Sequence, residues 1–339
     1  MKTFITGGTG FIGSALIRAL LAKGEDLKLL VRTDSNLDRI RGLDVQIVQG
    51  DIRDAEKLTL AMKGCDRVYH VAGLYTLNDR PSLYEDINVT GTRNVLDGAE
   101  KVGVERVVHT SSVAAIGCAD ASGLADEETE WNLGGLRIPY IQTKRRAEEL
   151  ALARAQNGLD VVVVNPAGPL GVGDLKPTPT GRILLSFLKG RLPFMPDAKN
   201  NFVGVDDVAM GHILAMEKGK AGERYLLGGE NITTIDLLRR AGEMIGRRPP
   251  YRLPYVFAFL GGFLGEVMVE WIFRGHTLLN MSNVKFLKQN MSFSSDKARN
   301  ELGWVPRNLD DSIKDSLRWF CENGYVGKRR KRKTLKSLG

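Results

Sequence analysis

Residues 6–13 read Thr6-Gly7-Gly8-Thr9-Gly10-Phe11-Ile12-Gly13. An apolar run at 2–6 leads in, and an apolar-striped stretch at 11–22 leads out. The first has the length of a buried strand and the second the spacing of a helix packed on one face. Three glycines in the turn between them, at positions 7 or 8, 10 and 13, let the backbone approach a ligand closely. They also leave the N–H groups of the first helical turn free for an anion. A strand, this turn and a helix in that order form a cradle for a dinucleotide pyrophosphate. Gly7, Gly10, Phe11, Ile12 and Gly13 are its expected contacts.

The same alternation continues outward. Short apolar runs at 27–31, 45–48, 67–71, 106–110 and 161–164 read as strands. Helical patterns at 55–62, 89–101 and 138–157 stand between them. Strands alternating with helices predict an α/β fold with a doubly wound parallel sheet. The unbroken Val161-Val162-Val163-Val164 suits a strand covered on both faces. After Asn165-Pro166, glycine and proline crowd the chain to residue 182. We expect a dinucleotide-binding domain at 1–165, joined again by 203–227. A smaller, mainly helical substrate region is expected at 166–202 and 228–325.

At 339 residues the chain has room for both parts, and its 43% hydrophobic and 26% charged residues are those of an ordinary globular protein. Seven basic residues and no acid lie at 328–339, which leaves a net +1 of the total +8 for the rest. The body is therefore nearly neutral, and 328–339 reads as a disordered basic tail. Cys65, Cys118 and Cys321 have no metal or disulfide spacing, so a reducing compartment is expected and no metal site. The first strand begins at residue 2, leaving no room for a signal peptide. The very apolar run 255–273 carries Glu266 and Glu270, which argues for a buried or interfacial helix over a membrane span.

The cofactor type should be read at the end of the second strand. That strand closes Leu30-Val31-Arg32, with Arg39 seven residues on. A planar, permanently charged guanidinium suits a 2′-phosphate, so NADP is expected, although Asp34 is near enough to serve NAD. Asp51 in Gly50-Asp51-Ile52 is placed to meet the adenine amino group. Val71-Ala72-Gly73, after the fourth strand, offers small residues where the dinucleotide passes.

Tyr140 and Lys144 stand four residues apart, on one face of a helix. A free phenol, with a pKa of about 10, is a poor base, and a nearby ammonium would lower it. The pair could then exchange a proton with a substrate hydroxyl while hydride moves to or from a nicotinamide. Ser111-Ser112 ends the strand at 106–110, on the sheet edge where ligands bind in such folds.

These motifs stand in a fixed order: Thr-Gly-Gly-Thr-Gly-Phe-Ile-Gly, Gly-Asp-Ile, Asn88-Val-Thr-Gly-Thr-Arg-Asn, Thr-Ser-Ser-Val-Ala and Tyr-x-x-x-Lys-x-x-Ala-Glu. Together they resemble the extended short-chain dehydrogenase/reductase superfamily, also called the NAD-dependent epimerase/dehydratase family, across roughly 2–325. The resemblance implies a Rossmann-type fold, with Ser112 as catalytic serine and Tyr140 as acid/base. Lys144 would bind the ribose and tune the tyrosine, and Asn165-Pro166 would match the loop at the carboxamide. Tyr75, Ser112, Asn165, Lys176 and Arg182 are the expected substrate contacts. Val205-Asp206-Asp207-Val208-Ala209 matches a structural motif. Leu-Val-Arg is similar to the dihydroflavonol 4-reductase-like branch. The run 165–182 and Leu227-Gly-Gly-Glu-Asn231 are similar to hopanoid-associated sugar epimerases.

An NADP-linked ketone reductase and a sugar or nucleotide-sugar epimerase are the two readings kept. Relatives that dehydrate sugars carry an Asp-Glu pair after the strand-end hydroxyl, where this chain has Val113-Ala114. A non-catalytic sensor would have lost a member of the trio. Arg32 and the apolar run favour the reductase, and the hopanoid resemblance favours the epimerase. The expected partners are a lipophilic or sugar-linked small molecule, an anionic membrane met through the basic tail, and a second copy in a homodimer. The expected location is the cytoplasm, at the inner face of the membrane.

Overall fold

The computed structural model describes residues 1–75, 80–120, 123–257 and 281–339, the side chains of 281–283 excepted. Its centre is a parallel sheet of seven strands: β1 (Lys2–Thr6), β2 (Asp26–Val31), β3 (Gln46–Gln49), β4 (Arg67–His70), β5 (Arg106–Thr110), β6 (Val161–Pro166) and β10 (Arg224–Leu227). They lie in the order β3-β2-β1-β4-β5-β6-β10. Ile5 sits beside Leu29 on one side and Tyr69 on the other. All six residues of β6 are buried, which is why its sequence shows no alternation.

Helices cover both faces. Leu16, Ile17 and Leu20 of α1 (Phe11–Ala22) pack with Val208, Ala209 and Ile213 of α7 (Val205–Lys218) on one face. Leu58 and Met62 of α2 (Ala55–Met62) pack with Val95, Leu96 and Ala99 of α4 (Gly91–Val102) on the other. A wider helical turn, Glu85–Thr90, follows the short α3 (Pro81–Tyr84) and runs into α4. Tyr140 and Lys144 lie on α5 (Pro139–Gln156), which Pro139 starts, and Ser112 follows β5. The strand order reverses between β1 and β4, and the crevice above that point is where such sheets bind ligands.

The second region carries two small sheets among its helices. β7 (Gly168–Leu170), β9 (Lys199–Gly204) and β11 (Glu230–Thr233) form one small sheet, and β8 (Phe194–Met195) pairs with β12 (Tyr251–Arg252) in another. These strands pair across long sequence separations and are short, so they leave little period-2 signal. Around them pack α6 (Pro179–Lys189), α8 (Thr234–Ile245), α9 (Met281–Leu287), α10 (Leu309–Glu322) and α11 (Lys328–Leu338). Leu184, Leu188, Leu237, Ile313, Leu317 and Leu338 share one core.

The basic tail is therefore not disordered. Lysine and arginine are good helix formers, and Thr334 and Leu338, one turn apart, are buried. The Arg318 guanidinium donates to the Leu338 and Gly339 carbonyls at 3.4 and 3.1 Å. Among the described residues no helix is long and apolar enough to cross a membrane. Most of the apolar run, 258–273, lies outside the described residues.

Candidate active site

The glycine turn has the cradle its sequence promised. Gly7 adopts φ +74°, and a Cβ on it would come 2.4 Å from the Ala72 nitrogen. A Cβ on Gly13 would come 2.2 Å from the Gly7 carbonyl oxygen. The helix begins at Phe11 with no side chain capping it. Its first N–H groups, from Phe11, Ile12 and Gly13, thus face the crevice at the positive end of the helix. Val71 and Ala72 flank the same turn, their N–H groups donating to the Thr6 carbonyl and hydroxyl at 3.1 and 3.3 Å. These residues fit a dinucleotide pyrophosphate.

At the other end of the crevice, Ser112 follows β5, and its hydroxyl accepts from the Ala114 N–H at 3.2 Å. The Ser112 side chain acts on the Tyr140 phenol and pulls its pKa down. The Tyr75 ring meets the Tyr140 ring edge-on, centroids 4.9 Å apart. Lys144 is buried and donates to the Thr110 carbonyl at 2.7 Å. A Cβ on Gly73 would stand 3.8 Å from that ammonium nitrogen. Asn88 clamps the two walls together: its side chain accepts from the Leu74 N–H at 2.7 Å and donates to the Thr143 hydroxyl at 3.0 Å.

Electrostatics here depart from the sequence expectation. Burial pushes the Tyr140 phenol well above its ordinary range, Tyr75 adds to the rise, and only the bond from Ser112 pulls it down. The Lys144 ammonium, a helical turn away, is turned to the Thr110 carbonyl. Burial in turn pushes Lys144 down to about 8, against the opposing pull of Glu148.

Behind Ser112 lies a buried polar chain. The Asn165 amide donates to the Ser112 carbonyl at 3.0 Å and to the Glu148 carboxylate. Glu148 is in turn paired with Arg224 at 2.9 Å. Pro166 ends β6 opposite Leu227. On the substrate side, Asp174 accepts from the Thr178 N–H and hydroxyl, and burial pushes its carboxyl up to about 6. Asp174 and Arg182 shift the Tyr75 phenol in opposite directions, Asp174 upward and Arg182 downward. Arg182 donates to the Pro177 carbonyl at 2.8 Å, and Lys176 is exposed on the same loop.

At the adenosine end the charges pair with one another. The half-exposed Arg32 lies 3.3 Å from Asp34. Both carboxylate oxygens of Asp51 are taken by Arg53, at 3.0 and 2.7 Å, which holds the Asp51 carboxyl below its usual range. Ile52 is buried and its carbonyl accepts from Asn94 at 2.9 Å. Arg39, expected at the 2′-phosphate, is committed elsewhere. Its guanidinium donates to the Thr9 and Gly173 carbonyls, both at 2.6 Å, and so ties the glycine turn to the second region.

Residues 3–228 match the model of the NAD dependent epimerase/dehydratase family. The chain belongs to this family. It is 40% identical, over 95% of both chains, to a putative dihydroflavonol 4-reductase of Synechocystis sp.. It is 36% identical to sterol demethylase protein B of Methylococcus capsulatus, over 96% of this chain and all of that protein. A solved nucleoside-diphosphate-sugar epimerase from Pseudomonas aeruginosa superposes with a TM-score of 0.81 at 26% identity, over 96% of this chain and 99% of that one. The chain is thus an NAD(P)-dependent enzyme of the extended short-chain dehydrogenase/reductase type, an oxidoreductase or epimerase.

Within the family frame, four residues of the site escaped sequence reasoning. Arg53 stands two places after Asp51, a visible signal. Glu148 follows Lys144 by one helical turn, and its role shows only through Asn165 and Arg224. Asn88 was visible within a motif without a role. Asp174 had no signal, since its burial depends on the fold of the second region.

Proposed function

We propose that this enzyme is an NADP-linked reductase that converts a ketone on a lipophilic substrate to a secondary alcohol. The observation that carries the reading is the partly buried Tyr140 phenol, set beside Ser112 and walled by Tyr75, with burial and Tyr75 holding its pKa up. A phenol held protonated is suited to giving a proton to a carbonyl oxygen as that oxygen gains negative charge. The Ser112 hydroxyl holds the same oxygen in place. Lys144, set against Gly73, carries the positive charge that meets the cofactor ribose and favours the phenolate left behind. A bound dinucleotide would supply the hydride. Tyr75, with Asp174 and Arg182 behind it, orients the ketone.

Arg32 supports NADP over NAD, and Arg53, turned to the same corner, adds a second guanidinium there. The names of the relatives, a dihydroflavonol reductase and a sterol demethylase protein, support a flat or lipid-like substrate. An enzyme of this kind would work in the cytoplasm, in contact with an anionic membrane through its basic C-terminal segment. The likeness to a nucleoside-diphosphate-sugar epimerase favours a second reading, epimerisation with a retained NAD. The two separate on purification. A reductase emerges without bound dinucleotide and consumes NADPH in proportion to the hydrophobic ketone supplied. Co-purified NAD, with sugar epimers interconverting and no net consumption of cofactor, would overturn the proposal.

A further inference from the structure

The helix that replaces the expected tail does more than add charge to one end of the chain. A cavity of about 690 Å³ lies between it and the end of α8, lined by Leu188, Arg247, Lys328, Arg329, Arg330 and Lys333 among others. Five of these six are cations, and no acidic residue lines the cavity. Among the described residues, none of the five forms an ion pair with a carboxylate. The Arg247 guanidinium stacks on Phe187 at 5.4 Å, and both burial and the nearby Arg330 push its pKa down. Arg330 donates to the Lys189 carbonyl, so the cluster is fixed to the end of α6. Gathering like charges in this way costs free energy that an anion would return.

Two short strands lead directly from this cavity to an apolar ridge. From Lys189 and Arg191 the chain runs to Phe194, and from Arg247 and Arg248 it runs to Tyr251. Phe194 and Tyr251 are 56% and 71% exposed, although β8 and β12 pair them, with ring centroids 6.0 Å apart. Val256 and Phe257, five and six residues after Tyr251, are 67% and 58% exposed. Exposed aromatic and aliphatic side chains beside a band of lysine and arginine match a bilayer interface, with the rings at headgroup depth and the cations on phosphates.

We propose that this composite face docks on an anionic phospholipid surface, with the Arg247/Arg330 cavity receiving a lipid phosphate and Phe194 and Tyr251 entering the interface. It rests on the peripheral contact assigned above but moves it from a charged tail to a folded surface on α6, α8, β8, β12 and α11. The cations bring the enzyme to the surface, and the ridge holds it there. None of the residues of this face is among those placed at the glycine turn or around Tyr140, so dinucleotide binding should not depend on it.

The test is flotation of the full chain with vesicles of phosphatidylcholine alone and of phosphatidylcholine mixed with phosphatidylglycerol. The wild type should float with the mixed vesicles only. Arg329→Glu/Arg330→Glu/Lys333→Glu should lower the partition coefficient by about a hundredfold or more. Phe194→Ser/Tyr251→Ser should lower it several-fold and leave a remainder that salt removes. Unchanged melting temperature and NADPH affinity in both variants show that fold and cleft are intact. An aromatic variant that floats like the wild type overturns the composite face. Saturable binding of inorganic pyrophosphate that displaces the protein from vesicles would assign the cavity to a soluble phosphate and overturn the lipid. If NADPH turnover fails while flotation behaves as stated, the reductase reading falls and this face stands.

Discussion

The two ends of the dinucleotide crevice are built on opposite plans. At the nicotinamide end, Ser112, Tyr140 and Lys144 are held by a buried network through Asn88, Asn165, Glu148 and Arg224. At the adenosine end, Arg32, Asp34, Asp51 and Arg53 sit at the surface and pair with each other. Burial strengthens each polar contact and fixes its direction. Exposure leaves the charges screened, adaptable and weak in pairwise energy. In the proposed reading the chemistry belongs to the buried end, and cofactor choice to exposed residues that can change with little cost to the fold.

The contrast can be broken at the buried end first. Tyr140→Phe keeps the ring packed on Tyr75 and removes the proton donor. Turnover should fall about 10²- to 10⁴-fold with NADPH affinity within a few-fold of wild type. Stopped-flow turnover and a fluorescence titration measure the two. A variant keeping more than a tenth of the activity would remove Tyr140 from its role.

At the exposed end the expected effect is smaller and selective. Arg32→Asp should weaken NADPH by roughly ten- to a hundredfold, as for loss of one charge-assisted bond, and spare NADH. Arg53→Ala should act in the same direction and also free Asp51. Equal weakening of both cofactors would mean that neither arginine reads a 2′-phosphate.

A third effect comes from Lys144. With its pKa pushed down to about 8, the ammonium is present below that pH and lost above it. Values of kcat/KM should therefore fall about tenfold for each pH unit above about 8. A profile flat to pH 10 would show that the ammonium is not needed.

The smallest effect concerns Asp174, whose carboxyl is raised to about 6. The folded chain then holds a proton that the unfolded chain releases near pH 4. Stability should decline as pH rises from about 4 to 6, by about 1 kcal/mol between pH 5 and 6. Denaturant titration should show that decline in the wild type and its absence in Asp174→Asn.

The fold was legible because the parallel sheet is made of short apolar runs separated by helical stripes, and the glycine turn fixes where the first of them ends. Spacing and motif order picked out Ser112, Tyr140 and Lys144, which the fold brings to one end of the crevice. What the sequence hid depends on tertiary contact. The direction of the Lys144 ammonium follows from the Thr110 carbonyl, a backbone atom that no motif reports. Arg39 is spent on the Thr9 and Gly173 carbonyls, a link spanning 134 residues on one side. The basic segment at the C-terminus looked like a solvated tail because its apolar side chains are few, yet Leu338 is 3% exposed against α10 and α8. The β7-β9-β11 sheet is too short and too non-local to show a period.

The central claim is that hydride leaves the cofactor for a ketone while Tyr140 supplies the proton. The direct measurement uses NADPH deuterated at the transferable position, a hydrophobic ketone and mass spectrometry of the product. The account predicts one deuterium at the carbinol carbon of a released alcohol, one NADP formed per alcohol, and labelled product from Tyr140→Phe formed about 10²- to 10⁴-fold more slowly. Product without deuterium, or an isomerised substrate with the cofactor pool unchanged, would contradict it.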